Sequence, residues 1–180
     1  MFTLRSPRRV SLAAAALAGL ALSVSAQQMT VMTPAKTGIP GEEVRHVVHG
    51  PQGDVWVGAR WPFWGHGGVG LYDRVDREWS TYANTDVSEM SAFVNDIEFD
   101  AQGVAWIATG EGLVRFDGES FTRWDSGNSP MTLDVVNDLS IAPDGTVWFN
   151  SSSSSSGGDA IYSFDGVSAW RRFAVPDQIP

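Results

Sequence analysis

The chain has 180 residues, of which 43% are hydrophobic and 18% are charged, with 21 acidic against 12 basic side chains and no cysteine. This length allows one modest domain, and the apolar content excludes a disordered chain of low hydrophobicity. The lack of cysteine excludes a disulfide framework, a lipidated cysteine anchor and a thiolate metal site.

The first 26 residues predict a secretory signal peptide. Three arginines precede an uncharged run over residues 10–24, and the small residues at 24–26 suit a signal peptidase. The run is shorter than the about 20 residues of a membrane span, so we expect cleavage after Ala26 and a periplasmic or secreted mature chain. An uncleaved anchor is the alternative. Cleavage lowers the basic count from 12 to 9 against 21 acidic residues, a net charge of −12, which argues against nucleic acid as a partner.

The remaining residues, 27–180, begin with a predicted strand over about 28–33 and then repeat themselves three times. The repeated units cover about 41–83, 91–125 and 133–174. Each unit contains a Gly-x-x-Trp segment, and the tryptophans are 50 and 42 residues apart. These tryptophans are Trp56, Trp106 and Trp148.

Every unit contains four short runs rich in β-branched and aromatic residues, separated by turn residues, and none has a helical apolar period. Asp117-Gly118 and Asp165-Gly166 predict turns between the third and fourth strands, because glycine accepts a positive φ. Four-stranded antiparallel units at a period of about 40 to 50 residues are typical of the blades of a β-propeller. We therefore predict an all-β propeller with about three blades, in which the repeated tryptophans pack between blades.

The central unit carries a more specific pattern over residues 94–124. It reads Val-Asn-Asp, then Gly-x-x-Trp-Ile-Ala-Thr, then Gly-Leu-x-Arg-Phe-Asp-Gly-x-x-Phe-x-x-Trp. This pattern resembles the two-component regulator propeller repeat, and the other two units fit it more loosely. The resemblance implies an exported sensor, ligand-binding or protein-interaction module. It also implies a membrane sensor kinase as a partner.

Three blades are fewer than a propeller ring usually contains, which is about four to eight. We therefore expect an incomplete ring and interpret the chain as the N-terminal portion of a longer propeller. The alternatives are self-association, in which several copies close a ring with three blades each, and a gene product with no function of its own.

Two groups of side chains are candidate ligand-binding residues. The first lies on the insertion between the second and third strands of unit one, where aromatic rings could stack on a small molecule, a glycan or a peptide. Alternatively, these rings fold onto their own blade. The insertion residues are Arg60, Trp61, Phe63, Trp64 and His66.

The second group occupies equivalent positions near the start of the first strand in each unit. It consists of His46, Asp96 and Asp138. In a propeller these side chains would gather near the central channel, where they could bind a cation or a ligand amine. The alternative is that they serve turns and ordered water.

The sequence contains no complete catalytic constellation, so we expect a protein that is not an enzyme and has no catalytic residues, resident metal or cofactor. A Gly-x-Ser-x-Gly nucleophile turn and a phosphate-binding glycine loop are both missing. The alternative is a metal-assisted lyase, because residues 50–53 and 142–149 are similar to repeats of the streptogramin lyase propellers. All three histidines lie in the first unit, so the catalytic residues of that family have no assigned counterparts.

Overall fold

A computed structural model describes residues 37–60, 65–152 and 160–174 of the chain. The predicted signal peptide over 1–26 and the predicted strand over 28–33 lie outside these residues, as do Trp61, Phe63 and Trp64. Within the described ranges, no helix is long and apolar enough to cross a membrane.

The described residues form twelve β-strands in three four-stranded sheets, which we call blades 1, 2 and 3. Blade 1 contains β1 (Glu43–His49), β2 (Val55–Arg60), β3 (Gly67–Tyr72) and β4 (Trp79–Ala83). Blade 2 contains β5 (Val94–Phe99), β6 (Ala105–Thr109), β7 (Gly112–Phe116) and β8 (Phe121–Trp124). Blade 3 contains β9 (Val136–Ile141), β10 (Val147–Ser151), β11 (Ala160–Phe164) and β12 (Trp170–Ala174).

Within each blade, strands that are neighbours in sequence are antiparallel neighbours in the sheet. The first strands of the blades, β1, β5 and β9, lie next to one another, and we call them the inner strands. The predicted all-β fold of three four-stranded antiparallel blades is therefore confirmed. The predicted glycine turns are also present, since Gly118 and Gly166 have φ angles of 98° and 81°.

Each inner strand contains a register irregularity at the same position. In β5 the pairing with β6 shifts between Val94 and Asp96, so that Asn95 is the extra residue of a β-bulge. Equivalent shifts occur in β1 and β9. Because a bulge redirects side chains, it lets the Asn95 amide reach the next blade, where Nδ2 donates to the Val136 carbonyl oxygen at 2.7 Å.

The core lies between the blades. Trp56 of blade 1 packs edge-on against Phe99 of blade 2, and Trp106 of blade 2 packs edge-on against Phe164 of blade 3. Both tryptophans are buried, as predicted. Trp148 differs from the prediction: it is 40% exposed and stacks on Phe173 of its own blade, because no described blade packs against that side of blade 3.

Acidic residues stabilise the turns at the outer end of the third strands. Asp117 Oδ1 accepts hydrogen bonds from the backbone N–H groups of Glu119 and Ser120 at 3.1 and 2.9 Å. These bonds hold the pKa of Asp117 down at about 2. Asp165 accepts three such bonds in the equivalent turn of blade 3. Part of the acidic excess of the chain is therefore structural.

Candidate functional site

His46, Asp96 and Asp138 come together across the three inner strands, as their equivalent positions in the repeat predict. We call these three residues the inner-strand cluster. Nδ1 of His46 lies 3.3 Å from Oδ1 of Asp96, which joins blade 1 to blade 2. Asp138, one blade further on, is close enough to hydrogen bond with the Asp96 carboxyl.

Asp96 is the buried member of the cluster, with 7% of its surface exposed. Its Oδ1 accepts the backbone N–H of Ile97 at 2.8 Å, and its Oδ2 accepts the N–H of Leu139 in blade 3 at 3.0 Å. A carboxylate with backbone donors on both oxygens is well compensated for its burial. Asp96 therefore links blades 1, 2 and 3, and its first role is structural.

The exposed carboxyls of this region are Asp138 and Glu98, and both hold their protons more strongly than usual. Desolvation is the main cause of the raised pKa of Asp138, and the hydrogen bond and charge of Asp96 add to it. The pKa of Glu98 is raised by desolvation and by the charges of Asp96 and Asp138. His46 acts in the opposite direction on both groups. The inner strands thus concentrate negative charge that is only partly neutralised.

A cation of suitable geometry would relieve this repulsion. Within the described part of the chain, no three His, Asp or Glu side chains are arranged to hold a metal ion. The groups left open to solvent are the Asp138 carboxyl, the Glu98 carboxyl and one edge of the His46 ring, which is 28% exposed. Such a set suits a protonated amine or a guanidinium better than a small metal ion, because an organic cation donates hydrogen bonds to well-separated acceptors.

Arg60, the first of the insertion candidates, is held at the end of β2 by Glu43. Its Nε and Nη2 donate to the two Glu43 oxygens at 2.8 and 3.1 Å. The hydrogen bond from Arg60, followed by that from Arg45, lowers the pKa of Glu43. The Arg60 guanidinium also lies 5.8 Å from the ring centroid of Phe93, an exposed residue just before β5. Arg60 is therefore positioned at the junction of blades 1 and 2.

The described end of the same insertion is bound to the connection between blades 1 and 2. Asn84 accepts the backbone N–H of Gly67 at 3.0 Å and donates to the carbonyl oxygen of Gly65 at 2.9 Å. His66 lies between these two glycines and is exposed. The insertion therefore leaves blade 1 at the end where β1 begins. His46 is near this end, because it pairs with Gly58, which precedes Arg60 by two residues in β2.

The structure also contains a cleft that the sequence did not predict. It has a volume of about 540 Å³ and lies between blades 1 and 2 at the end opposite to the insertion. Aromatic rings line it from both blades. Asp54 lies at its edge, where Oδ2 accepts a hydrogen bond from the indole N–H of Trp56 at 2.5 Å. The lining rings are Trp56, Tyr82, Phe99 and Phe116. They come from four different strands, so only the interblade packing brings them together.

No protein-family model matches the chain, and no curated protein sequence matches it. Solved structures do match. The chain aligns with the extracellular domain of BT3049 from B. thetaiotaomicron, assigned to a hybrid two-component system, with a TM-score of 0.64 and 21% identity over 81% of this chain and 19% of that chain.

Two further structures give a similar result. The extracellular domain of BT4673 from B. thetaiotaomicron, assigned to a one-component system, aligns with a TM-score of 0.55 and 17% identity over 73% of this chain and 18% of that chain. PorZ, a surface component of the type-IX secretion system of Porphyromonas gingivalis, aligns with a TM-score of 0.54 and 21% identity over 77% and 20% of the two chains. The chain spans about a fifth of the length of these structures. At such identities, the comparisons establish a shared blade-type fold.

Proposed function

We propose that this chain is an extracytoplasmic sensor module of the propeller type, periplasmic or secreted, which binds a cationic ligand at the inner-strand cluster. The convergence of His46, Asp96 and Asp138 from three blades is the observation that carries the proposal. Two further observations support the location: the N-terminal sequence has the layout of a secretory signal, and solved structures of extracellular domains share the fold.

The chemistry of the cluster favours a ligand with a protonated amine or a guanidinium group. Each oxygen of Asp96 already accepts a backbone N–H, so this residue mainly supplies charge, whereas Asp138 and Glu98 offer open oxygens. A ligand cation would stabilise both ionised carboxylates, so binding should release protons. Affinity should therefore increase as the pH rises through the raised pKa values of these two groups.

The insertion of blade 1 is a second candidate for ligand contact, which rests on its sequence and on the two residues at its described ends. Arg60 is fixed by Glu43, and His66 stands exposed at the far end of the insertion. Trp61, Phe63 and Trp64 lie between them and would supply stacking surfaces for a small molecule, a glycan or a peptide.

Titration calorimetry of the mature chain tests the proposal, with 1,5-diaminopentane as the probe and 1,5-pentanediol as its uncharged match. We expect saturable binding of the diamine only, and at least a tenfold loss of affinity in Asp138→Asn. The matched control is Asp76→Asn, an exposed turn residue of blade 1 at the opposite end. Equal affinities for the two probes, or equal losses in the two variants, would overturn the amine site.

A sensor module also requires a partner that transmits the signal. On the resemblance to two-component regulator repeats, we propose a membrane sensor kinase as this partner. The alternative function is a metal-assisted lyase on the same fold. The two proposals differ in their metal requirement, because a lyase of that type depends on a bound divalent ion. A melting temperature that falls in EDTA and recovers with added divalent metal would favour the lyase, whereas an unchanged melting temperature would favour the binding module.

A further inference from the structure

The two interfaces between blades are built in the same way. Each blade presents a forward face to the blade that follows it in the chain, and a rear face to the blade that precedes it. The strand pairing places equivalent residues on these faces: Val69 lies opposite Tyr82 in blade 1, and Leu113 lies opposite Trp124 in blade 2. Together with Trp56 and Trp106, these residues form the forward faces and are mostly buried by the next blade.

The rear faces that receive them are equally regular. Val94 and Ile97 of the inner strand of blade 2 are fully buried against blade 1. Their equivalents in blade 3, Val136 and Leu139, are buried against blade 2. The chain thus forms the same type of apolar interface twice, with a forward face packed on a rear face each time.

Two faces of this type are open in the described structure. On the forward face of blade 3, Trp148, Ile161 and Phe173 are 40%, 44% and 45% exposed. On the rear face of blade 1, Val44 and Val47 are 48% and 60% exposed. Solitary exposed apolar residues are common, but aligned sets of large ones mark interaction surfaces.

The rear face of blade 1 is also shaped to receive side chains. A groove of about 390 Å³ crosses it, and its lining is almost entirely apolar. Val44 and Val47 form one wall, and Tyr72 and Trp79 form the other. At the equivalent place in blade 3, Leu139 and Phe164 pack against the forward face of blade 2. The groove is therefore the empty counterpart of an interface that is filled elsewhere in the chain.

Polar groups on the two open faces also correspond. Between blades 2 and 3, Asn95 donates to the carbonyl oxygen of Val136, and Asp96 accepts the N–H of Leu139. Blade 3 carries the same Asn-Asp pair at Asn137 and Asp138 on its open face.

Blade 1 supplies the matching backbone groups. Val44 is the equivalent of Val136, and Val47 is the equivalent of Leu139. Val47 lies opposite Val57 in β2, just as Leu139 lies opposite Phe149 in β10. Its N–H therefore points away from β2, toward the position of a preceding blade, as the N–H of Leu139 does.

We infer that the forward face of blade 3 docks on the rear face of blade 1 of a second copy of this chain. The occupant is a second copy because each open face matches, in both apolar and polar positions, a surface that the chain already pairs with itself. Such a head-to-tail contact forms a closed ring when the forward face of the second copy docks in turn on the rear face of the first. Two copies then supply six blades, which lies within the usual size of a propeller ring. This inference does not rest on the amine site proposed above. Asp138 takes part in both, because its equivalence with Asp96 places one of its oxygens on the N–H of Val47 in the second copy and leaves the other oxygen open.

The mass of the mature chain in solution tests this assembly, measured by light scattering across about 1 to 100 μM, a range that covers typical specific association. We expect twice the monomer mass. Ile161→Asp on the forward face and Val47→Asp on the rear face should each weaken association at least tenfold, because each buries a carboxylate in an apolar interface. Both positions are exposed in the single chain, so the variants should fold, and circular dichroism checks this.

Two matched controls carry the same substitution at valines outside both faces. Val75→Asp and Val167→Asp lie in turns of blades 1 and 3, where the valines are 88% and 81% exposed. They should associate as the unaltered chain does. A monomer at 100 μM, or equal weakening by the controls, would overturn the inference.

The pattern across the variants also separates head-to-tail closure from other assemblies. If two copies met through one face only, either Ile161→Asp or Val47→Asp would leave the dimer unchanged, and the inference would fail. Species that grow beyond two copies with concentration would contradict the closed ring. Failure of the amine titration would leave all these outcomes unchanged, so the two proposals are tested separately.

Discussion

The interface between blades 1 and 2 and the interface between blades 2 and 3 share an apolar plan but differ where the inner strands meet. In the first, the contact is the His46–Asp96 pair, whose atoms are 3.3 Å apart. In the second, Asp96 and Asn95 bind backbone groups of β9 at 3.0 and 2.7 Å. The apolar packing that holds the blades together therefore allows the polar residues at the inner strands to vary. The same positions can join blades in one place and offer charge to solvent in another.

The largest expected effects come from the shared part of the two interfaces. Trp56→Ala and Trp106→Ala should each lower the free energy of unfolding by about 3 to 5 kcal/mol, because each removes a buried aromatic side chain and leaves a cavity. Urea titration followed by circular dichroism measures both losses. A loss below about 1 kcal/mol in either variant would show that the two apolar interfaces are not equivalent.

The next effect should separate the two interfaces at the inner strands. Asp96→Ala leaves the N–H groups of Ile97 and Leu139 without their acceptor, and buried unsatisfied donors cost about 1 to 3 kcal/mol each. We expect a loss of about 2 to 4 kcal/mol in urea titration.

His46→Ala removes only the partly exposed contact between His46 and Asp96, and it should lower the free energy of unfolding by about 0.2 to 1 kcal/mol. It is the control for Asp96→Ala, because it breaks the contact to blade 1 and leaves both backbone bonds in place. Equal losses would mean that the contact between His46 and Asp96, rather than the link to blade 3, is the main contribution of Asp96.

A smaller loss is expected from Asn95, which acts on the interface between blades 2 and 3 alone. Asn95→Ala removes the bond from Nδ2 to the Val136 carbonyl oxygen and should cost about 0.5 to 1.5 kcal/mol. Asn137→Ala is the matched control when both changes are made in the Ile161→Asp chain, which should stay monomeric. There Asn137 is exposed and donates a hydrogen bond within its own blade, to Ser152. If the two variants lost equal stability, the bulge residue would have no special role between blades.

The repeat made the fold predictable, but it left the state of individual residues open. Equivalent positions correctly brought His46, Asp96 and Asp138 together. They did not show that Asp96 is used by backbone donors, because that depends on a bulge and on the placement of the neighbouring strand.

Contacts across the sequence were equally hidden. Arg60 is bound by Glu43, which is 17 residues away and adjacent only through the pairing of β1 with β2. Trp148 was predicted to pack between blades by analogy with Trp56 and Trp106, but its environment depends on which blade follows it. Sequence repetition therefore predicted which residues are equivalent, and the packing of neighbours decided which equivalent residues are buried.

The smallest effect is a pH dependence that distinguishes Asp138 from the turn carboxyl Asp117. The pKa of Asp138 is raised in the folded chain by desolvation and by Asp96, and it is lowered by His46. The folded state therefore binds this proton more tightly than the unfolded state, whose value is 3.8. The raised pKa of Asp138 therefore stabilises the folded state in full below pH 3.8, and this stabilisation is lost as the pH rises through the folded pKa.

Asp117 should show the opposite dependence, because its folded pKa is lowered from 3.8 to about 2. Its contribution is present above 3.8 and is lost as the pH falls toward 2. Urea titrations from pH 2 to about 7 measure the free energy of unfolding of each variant relative to the unaltered chain. For Asp138→Asn this relative stability should increase as the pH rises above 3.8. For Asp117→Asn it should increase only as the pH falls below 3.8. If both variants shifted in the same direction, the carboxyl at the inner strands would be an ordinary surface acid, and the concentration of charge from which we infer an amine site would not exist.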